Sequence, residues 1–481
     1  MRILHVGWGF RPWRGGGLIS YAEDVMEAQA ARGDEVAYFF AGRRYPLMRR
    51  PRMHRWRRRG VAMLEVLSSP IPIGMDLGTR APDLDLEEPA TARMFSDAVS
   101  ELRPDVVHLQ ELLGVPSAVV DIAHGAGVPV VMTLQDYFPL CPTLKLFDAD
   151  GRPCIRRDPA AECVRCCRDA PVGTRHIGDV TFAFELQRAG RLAPWARAPA
   201  YRALSRVLPR MPSGLPVDEH ARGRDGRPAS EEAYRRRRET NIARLARIDR
   251  LVASSSRTTE IYSTLGVPRE RLVTLQLSSG HIAGLAPRTI EAPPRPVRFV
   301  TLAGAQSEAK GALVILEAAR RLAARPAGDH LLDVHGLVDA RVRGELERLP
   351  AVRLHGPYAR DGLDSILDRA DVGLVPSAWE EVLGHVGLEC LAKGVPVVAN
   401  GVGGLRDYVI PGETGWINRS CTGAELAELM GAIVDDPTQV VRLNRSIRER
   451  RDKLIKPLER HLPELDEIYA EVIAAGSAAG S

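Results

Sequence analysis

The sequence passes twice through the same alternation of short apolar strands and amphipathic helices, and a proline-rich stretch separates the two runs. The first run begins at residues 2–6, the second begins at residue 297, and four prolines occur within residues 287–296. Strands that alternate with helices favour a parallel sheet covered by helices on both faces. The pattern therefore predicts an α/β protein with two doubly wound domains that face a cleft, the place where such sheets bind ligands.

The chain of 481 residues is about three times the usual size of one domain. We place an N-terminal domain at 1–286, a C-terminal domain at 297–455, and a final helix and tail at 456–481. An irregular insert at about 141–240 interrupts the first domain, because its cysteines and its Pro/Arg-rich stretch break the alternation. The predicted strands are 2–6, 35–40, 105–109, 128–134, 250–256, 297–303, 330–335, 352–355, 372–375 and 395–399. The predicted helices are 18–32, 119–125, one that follows strand 250–256 and ends at 266, 309–324, 363–370, 386–393 and 462–474.

The composition is that of an ordinary globular protein, with 45% apolar and 26% charged residues. No apolar run approaches the ~18 residues needed to cross a bilayer. The N-terminus lacks the apolar stretch and cleavage site of a signal peptide. We therefore expect a cytoplasmic protein, with peripheral association at the inner face of the membrane as a second expectation. The formal net charge of +5 is too small to indicate a nucleic-acid partner, and we expect none.

The most informative segment is 376–399, which places two glutamates eight positions apart on a loop and the helix after it. Glu381 follows a predicted strand, and Glu389 lies in the next helix. The backbone amides at Gly384, His385 and Val386 lie near the start of that helix, where amides can bind a phosphate. Carboxylates accept hydrogen bonds from paired hydroxyls, so two of them in one cleft suit a sugar and a ribose. Two unrelated glutamates would be solvated surface charges, but the loop, the glycines and the following strand favour a site.

Glu381-x7-Glu389, with Gly-Val-Pro-Val-Val-Ala at 394–399 behind it, resembles the family-4 retaining glycosyltransferases of the GT-B fold. The resemblance implies two Rossmann-like domains and transfer of a sugar from a nucleotide-sugar donor, a UDP- or GDP-sugar, with retention. It also implies that the final helix packs back onto the N-terminal domain. Further matching segments are 15–17, 104–108, 134–137, 304–311, 370–377, 403–409 and 412–416.

The resemblance also assigns roles to individual residues. Glu381 would bind hydroxyls of the donor sugar, Glu389 the ribose, and Lys310 the donor diphosphate. A glycine loop at 15–17 would let the backbone approach the diphosphate closely. The complete set of candidate site residues is Glu381, Lys310, Gln135 and Asp136 as catalytic, and Gly16, Gly17, Gly304, Lys310, Gly384, His385, Val386 and Glu389 as donor-binding.

The chemistry implied by this family follows from charge. Cleavage of the sugar–phosphate bond develops negative charge on the departing diphosphate, which Lys310 and the amides near Gly384 would stabilise. No catalytic metal is then required, and the donor phosphate itself accepts the proton of the acceptor. Two positions depart from the family, since Ala305 and Gln135 stand where an arginine and a histidine are usual. The first departure bears on the binding of the diphosphate, and the second on the positioning of sugar hydroxyls.

Several functions remain open at this stage. The leading one is transfer to a saccharide or lipid-linked acceptor in cell-envelope or exopolysaccharide biosynthesis. Transfer to a small secondary metabolite and nucleotide-sugar binding without catalysis are the alternatives. A nucleotide-sugar epimerase would need acid and base groups that the sequence does not identify. A dinucleotide oxidoreductase is disfavoured, because Gly7-Trp-Gly9 lacks the third glycine of its motif.

Five cysteines fall within 27 residues, and two of them form a C-x2-C pair. Four thiolates can hold Zn²⁺ tetrahedrally, and the set we predict is Cys141, Cys154, Cys163 and Cys166, with Cys167 able to replace Cys166. Such a closed site would be structural and would not join the catalysis. Free thiols, and disulfide or redox use, are the alternatives.

An arginine-dense segment, 43–59, contains nine arginines and is predicted to be a surface loop. A solvated basic loop is one interpretation, and attraction to an anionic membrane, which would suit a lipid-linked acceptor, is the other. Three isolated histidines also need placing. We expect His124 to be structural or exposed, whereas His108 and His385 lie near loops of the predicted cleft.

Overall fold

The computed structural model describes residues 1–188, except 46, 47, 49 and 172, and residues 229–479, except 327. Within this part of the chain, the strands form one eight-stranded sheet and one six-stranded sheet. The segment 287–296 connects the two sheets. The predicted architecture of two doubly wound α/β domains is confirmed.

All ten predicted strands are present, with four additions. The first sheet has the order β3-β4-β2-β1-β5-β6-β7-β8, and the second has the order β11-β10-β9-β12-β13-β14. The sequence analysis missed β3, β4, β8 and β14, which all lie at or near a sheet edge. In chain order, β1 to β14 are Arg2–Gly7, Glu35–Ala41, Arg52–Arg58, Val61–Leu67, Val106–Leu109, Val130–Leu134, Arg250–Ala253, Leu272–Thr274, Val297–Thr301, His330–His335, Val352–Gly356, Val372–Val375, Val397–Asn400 and Gly415–Asn418.

The helices lie between these strands and cover both faces of each sheet. Short 3₁₀ turns add to them at 75–77, 269–271, 360–362 and 403–407. In chain order, α1 to α17 are Gly17–Ala31, Pro82–Leu86, Pro89–Leu102, Val119–Gly125, Ala160–Cys166, Arg175–Arg188, Glu231–Leu245, Ser256–Thr264, Gly280–Ala283, Ala312–Leu322, Ala340–Leu346, Leu363–Leu367, His385–Ala392, Gly423–Asp435, Thr438–Glu449, Arg451–Leu454 and Leu458–Ala479.

The central strands are apolar on both faces because helices cover both sides of a parallel sheet. In β1 every residue except Arg2 is buried. Its Ile3 pairs in parallel with Val36 on one side and Val106 on the other. This register brings the carboxyl ends of β1, β5 and β6 to one edge, which faces the second domain.

The arginine-dense segment differs from the prediction. Residues 52–58 form strand β3, which pairs antiparallel with β4, whereas the sequence analysis expected a loop throughout 43–59. The strand forms because its half-buried side chains pack inwards; the ring of Trp56 lies edge-on to that of Phe10, with the centroids 5.0 Å apart. The arginines that alternate with them remain exposed.

The C-terminal helix α17 packs against the N-terminal domain, as the resemblance implied. Tyr469 Oη lies 2.6 Å from Nδ1 of His108, a buried residue of β5. Tyr21 Oη lies 2.8 Å from Nε2 of His461, near the start of the helix. The last helix therefore returns across the domain boundary and joins the two halves of the molecule.

Candidate active site

The cleft between the two domains encloses about 530 Å³. Its N-terminal wall is the loop from β1 to α1 together with the end of β6. Its C-terminal wall is formed by the segments that follow β9 and β12, and by the start of α13. We call this space the interdomain cleft. Of the predicted site residues, it is lined by Gly16, Gly17, Gln135, Gly304, Lys310, Glu381, Gly384, His385, Val386 and Glu389.

Glu381 lies on the loop that follows β12, buried against three donors. Lys310 Nζ donates to its Oε1 at 2.6 Å, Ser377 Oγ at 2.7 Å and Trp379 Nε1 at 3.0 Å. Burial acts to raise the pKa of Glu381, but the charge and hydrogen bond of Lys310, with the other two donors, hold that pKa below its ordinary value. The carboxylate is therefore kept ionised inside the cleft.

Glu389 lies one helical turn into α13 and faces the opposite domain. Its Oε1 is 2.7 Å from Nε2 of His281, which belongs to the short helix α9. Ser279 Oγ lies 2.7 Å from the other ring nitrogen of His281 and orients the ring. Oε2 of Glu389 is buried and has no hydrogen-bond partner among the described residues.

The start of α13 lies directly opposite the start of α1. Gly384 precedes α13 with a left-handed φ of 79°, so the chain turns sharply there, and Gly384, His385 and Val386 at the start of the helix line the cleft. Across the cleft, a Cβ placed on Gly17 would lie 2.7 Å from Nδ1 of His385. Only glycine fits this approach between the two domains. Nε2 of His385 is buried without a partner among the described residues, and burial lowers the pKa of this histidine.

Glu380, immediately before Glu381, contacts the N-terminal domain. Its carboxylate accepts hydrogen bonds from Arg257 of α8 at 2.6 Å and from the backbone amide of Gly403 at 2.8 Å. Ser255 Oγ donates to the carbonyl oxygen of Val382 at 2.6 Å. These contacts join the two domains beside the cleft and fix the loop that presents Glu381.

Of the two predicted catalytic residues in the N-terminal domain, one lines the cleft and the other does not. Gln135 lines the cleft; its Nε2 donates to the carbonyl oxygen of Gln110 at 3.2 Å, and its Oε1 has no partner among the described residues. Asp136 does not line the cleft and is buried, where Oδ1 accepts from the amide of Phe138 at 2.7 Å. Burial raises the pKa of Asp136, and burial together with Asp136 raises the pKa of Glu111 beside it. The structure does not bring Asp136 to the site.

Ala305, which stands where the family usually has an arginine, lies in the core next to the cleft residue Gly304. A Cβ on Gly304 would lie 2.4 Å from Thr301 Oγ1, so this glycine is required by close packing at the end of β9. The side chain of Ala305 is fully buried in the C-terminal core and does not reach the cleft. Gln306 lines the cleft in its place.

The structure adds residues that the sequence analysis did not select. His281, Ser377 and Trp379 contact the two glutamates, and Tyr358 and Arg360 line the cleft between β11 and α12. A local signal existed only for Ser377 and Trp379, which share the loop of Glu381. Of the other histidines, His108 is buried in the first domain, away from the cleft, and His124 pairs with Asp249 at 3.1 Å.

The four predicted zinc ligands lie outside the cleft. They line a separate small cavity in the insert, and all four thiols are unbridged. A third cavity, of about 520 Å³, opens on the N-terminal domain next to β3. It is lined by Phe10, Pro12, Arg43, His54, Trp56, Arg58, Arg59, Phe184 and Arg188.

Residues 288–452 match the family Glycosyl transferases group 1, and residues 16–208 match the Glycosyl transferase 4-like domain. The two matches together span most of the chain and correspond to its two domains. The chain belongs to the family-4 glycosyltransferases of GT-B fold. This membership agrees with the arrangement of Lys310, Glu381 and Glu389 around one cleft.

Individual members of the glycosyltransferase family match shorter stretches. The chain is 38% identical over 105 residues to glycogen synthase of Mycobacterium tuberculosis, which covers 21% of this chain and 24% of that protein. It is 31% identical over 207 residues to D-inositol 3-phosphate glycosyltransferase of Corynebacterium urealyticum, which covers 38% and 48% of the two chains. The chain thus spans a quarter to about a half of the length of these curated relatives.

Among solved structures, the fold resembles that of HepE from Anabaena, determined in complex with UDP and glucose. The TM-score is 0.57 at 13% sequence identity, and the superposition covers 98% of this chain and 99% of HepE. The similarity therefore extends over both domains, and at this identity it concerns the fold.

Proposed function

We propose that this protein is a retaining glycosyltransferase that moves a sugar from a nucleoside diphosphate sugar to a saccharide or lipid-linked acceptor. The observation that supports it most is a set of three unpartnered polar atoms in one cleft: Gln135 Oε1, His385 Nε2 and Glu389 Oε2. Buried polar atoms are rarely left without hydrogen bonds. A ligand with many hydroxyls would satisfy all three, beside a lysine suited to its phosphates.

The donor would lie along the C-terminal wall. The ribose would bind Glu389, whose Oε2 is open, and the diphosphate would lie between Lys310 and the first amides of α13. The sugar would reach Glu381 and His385. Among similar proteins, HepE binds UDP and glucose, which supports UDP as the first donor base to test; GDP is the second.

In the reaction, the bond between the anomeric carbon and the donor phosphate breaks, and negative charge develops on the departing diphosphate. Lys310 would lie beside that charge, and its position is held by Glu381 at 2.6 Å. Preorganised charge of this kind is usually the largest electrostatic contribution to a rate. A donor phosphate oxygen accepts the proton of the acceptor hydroxyl, which attacks the face that the leaving group vacates, so the configuration is retained. In this proposal the diphosphate charge is balanced by Lys310 and backbone amides.

The acceptor would enter from the N-terminal domain. The cavity next to β3 has an aromatic floor, where Phe10 lies 6.1 Å from Phe184 and 5.0 Å from Trp56 between ring centroids, and an arginine rim. Aromatic and cationic groups together suit an amphiphilic, anionic acceptor such as a lipid-linked saccharide. We propose that cell-envelope or exopolysaccharide biosynthesis is the context.

Peripheral association with an anionic membrane would accompany such an acceptor. Within the described residues, no helix has the length and apolar character needed to cross a bilayer. Arg52 and Arg57 are exposed on β3, the strand from which His54, Trp56 and Arg58 line the cavity. Flotation with vesicles that contain phosphatidylglycerol should recover the protein, and neutral vesicles should not. Equal flotation of a variant with both arginines changed to glutamate would contradict the proposal.

The experiment that tests the function is a screen of UDP- and GDP-sugars by thermal shift and by release of the nucleoside diphosphate. One donor should raise the melting temperature and be slowly hydrolysed. Glu389→Gln should lose the shift for that donor. Folded protein that no donor stabilises would overturn the proposal, and stabilisation without nucleotide release would favour a binding protein without catalysis.

A further inference from the structure

The cysteine-rich insert brings four thiols to one small cavity, outside the interdomain cleft. Cys141 follows β6, Cys154 lies in the next loop, and Cys163 and Cys166 lie on α5. All four line a space of about 20 Å³, and none is in a disulfide. A space of this size suits a single ion.

The fifth cysteine of the cluster faces a different environment. Cys167 packs in a separate apolar group with Ala170 and Tyr234, and a Cβ on Gly78 would lie 2.4 Å from its sulfur. It does not line the cavity. Adjacent positions on a helix point about 100° apart, so Cys166 and Cys167 face different surroundings, while Cys163 lines the cavity and also packs against the group of Cys167. The lining of the cavity favours Cys166 over Cys167 as the fourth ligand.

A buried cation also lines the cavity. Arg238 of α7 is only 4% exposed, and its terminal nitrogens donate to the carbonyl oxygens of Leu140 and Arg156. Its Nε finds no acceptor among the described residues. A buried charge is costly unless an opposite charge lies nearby. Four thiolates around a divalent ion carry a net charge of about −2, which would supply the missing counter-charge.

A cluster of three acidic side chains in the same insert is the competing cation site. Within the described part of the chain, Asp148, Asp150 and Glu162 form the one group of three whose ligand atoms all lie within 4.8 Å. These acidic side chains are already ion-paired with Arg156 and Arg165. No three of the described cysteine sulfurs meet the same spacing, so an ion would require the thiol side chains to rotate towards it.

We propose that Cys141, Cys154, Cys163 and Cys166 bind one zinc ion. Binding would form four Zn–S bonds, and the four thiols would lose their protons to solvent. The ion would tie the loop after β6 to α5 and, through Arg238, to α7. Because Gln135 stands at the end of β6 that begins this loop, the site would brace one wall of the interdomain cleft without entering the reaction.

The test is elemental analysis of the full-length protein purified without chelator. We expect about one zinc per chain. Four thiols should react slowly with an organomercurial while the metal is bound, and faster once it has been released. Replacement of zinc by Co²⁺ should give the charge-transfer and visible bands of a tetrahedral thiolate site. These measurements use the wild-type protein and stand even where a cysteine variant fails to fold.

Variants then separate the predicted ligands from their neighbours. Cys163→Ser should lose most of the metal, whereas Cys167→Ser and Cys421→Ser, which alter thiols outside the cavity, should keep it. Folded wild-type protein without metal, or alkylation masses that reveal disulfides among the four cysteines, would overturn the proposal. So would equal loss of zinc in Cys163→Ser and Cys167→Ser.

Discussion

Lys310 donates from Nζ to Glu381 Oε1 at 2.6 Å, across 71 positions of sequence. The cation that we assign to the donor diphosphate is thus paired with the carboxylate that we assign to the donor sugar. Nζ also lies 5.0 Å from the centroid of the Trp379 ring, on its face. The charge and hydrogen bond of Lys310 keep the buried carboxylate of Glu381 ionised, so the cleft is prepared for a polar ligand before one binds.

Changing Lys310→Ala should mainly slow the transfer. The side chain would stabilise charge that develops in the transition state, and loss of one such group costs about 10²–10³-fold in kcat. Steady-state kinetics with the donor found by the screen measures this effect. Lys145→Ala is the matched control, because Lys145 pairs with Asp76 at 2.6 Å away from the cleft and its loss should leave kcat unchanged. Wild-type kinetics in Lys310→Ala would contradict the assignment.

Changing Glu389→Gln should mainly weaken binding of the donor. The substitution keeps the size of the side chain but removes the charge that a ribose hydroxyl and His281 would share. Hydrogen bonds to charged groups are worth about 1.5–3 kcal/mol, which corresponds to roughly 10- to 100-fold in affinity. Calorimetric titration with UDP and with GDP measures it. Glu345→Gln, on the exposed face of α11, should bind like the wild type, and an unchanged affinity in Glu389→Gln would refute the ribose role.

The glycine loop offers a comparison of two positions that are two residues apart. Gly17→Ala should impair activity, because its Cβ would lie 2.7 Å from His385 Nδ1 and force the domains or the ring apart. A Cβ on Gly15 meets nothing within 4 Å, so Gly15→Ala should be close to wild type. Donor affinity and thermal stability of both variants should be compared. Equal behaviour of the two would show that the approach of α1 to α13 does not matter for binding.

Stability should fall as the pH drops below about 6.5. Burial lowers the pKa of His5 and of His461 to about 4 and also lowers that of His108, so the unfolded chain binds protons that the native protein does not. Each such histidine contributes up to about 1.4 kcal/mol per pH unit, with stability complete above 6.5 and lost progressively towards 4.

Urea unfolding at several pH values between 7.5 and 5 measures the slope of the free energy of unfolding against pH. His461→Gln should reduce this slope by the contribution of about one proton. His54→Gln, which changes an exposed histidine, should leave the slope as it is. The pKa values of the buried pair Glu111 and Asp136 are raised, so this pair stabilises the native protein as the pH falls. Both variants keep the pair, so its contribution cancels when their slopes are compared. An identical slope in His461→Gln and the wild type would contradict the prediction.

Much of the fold was predictable because short, local residue patterns indicate its strands and helices. Alternating strands and helices, each a few residues long, specified parallel sheets, and helix α4 and strand β12 were predicted with the bounds that the structure has. Edge strands were missed because they depend on contacts that no local pattern shows. The burial of β3 depends on Trp56 packing against Phe10, and no local pattern of arginines indicates that contact.

The sequence by itself determined the two sheets, the cleft and the loop that holds the paired glutamates, since the alternation of strands and helices and the position of each loop follow from local periodicity. Only the tertiary structure decided which side chain of each neighbouring pair faces the site. Glu380 binds Arg257 across 123 positions while Glu381 faces Lys310, and Asp136 turns inwards while Gln135 faces the cleft. Such choices depend on partners distant along the chain, and those partners exist only once the domains have packed.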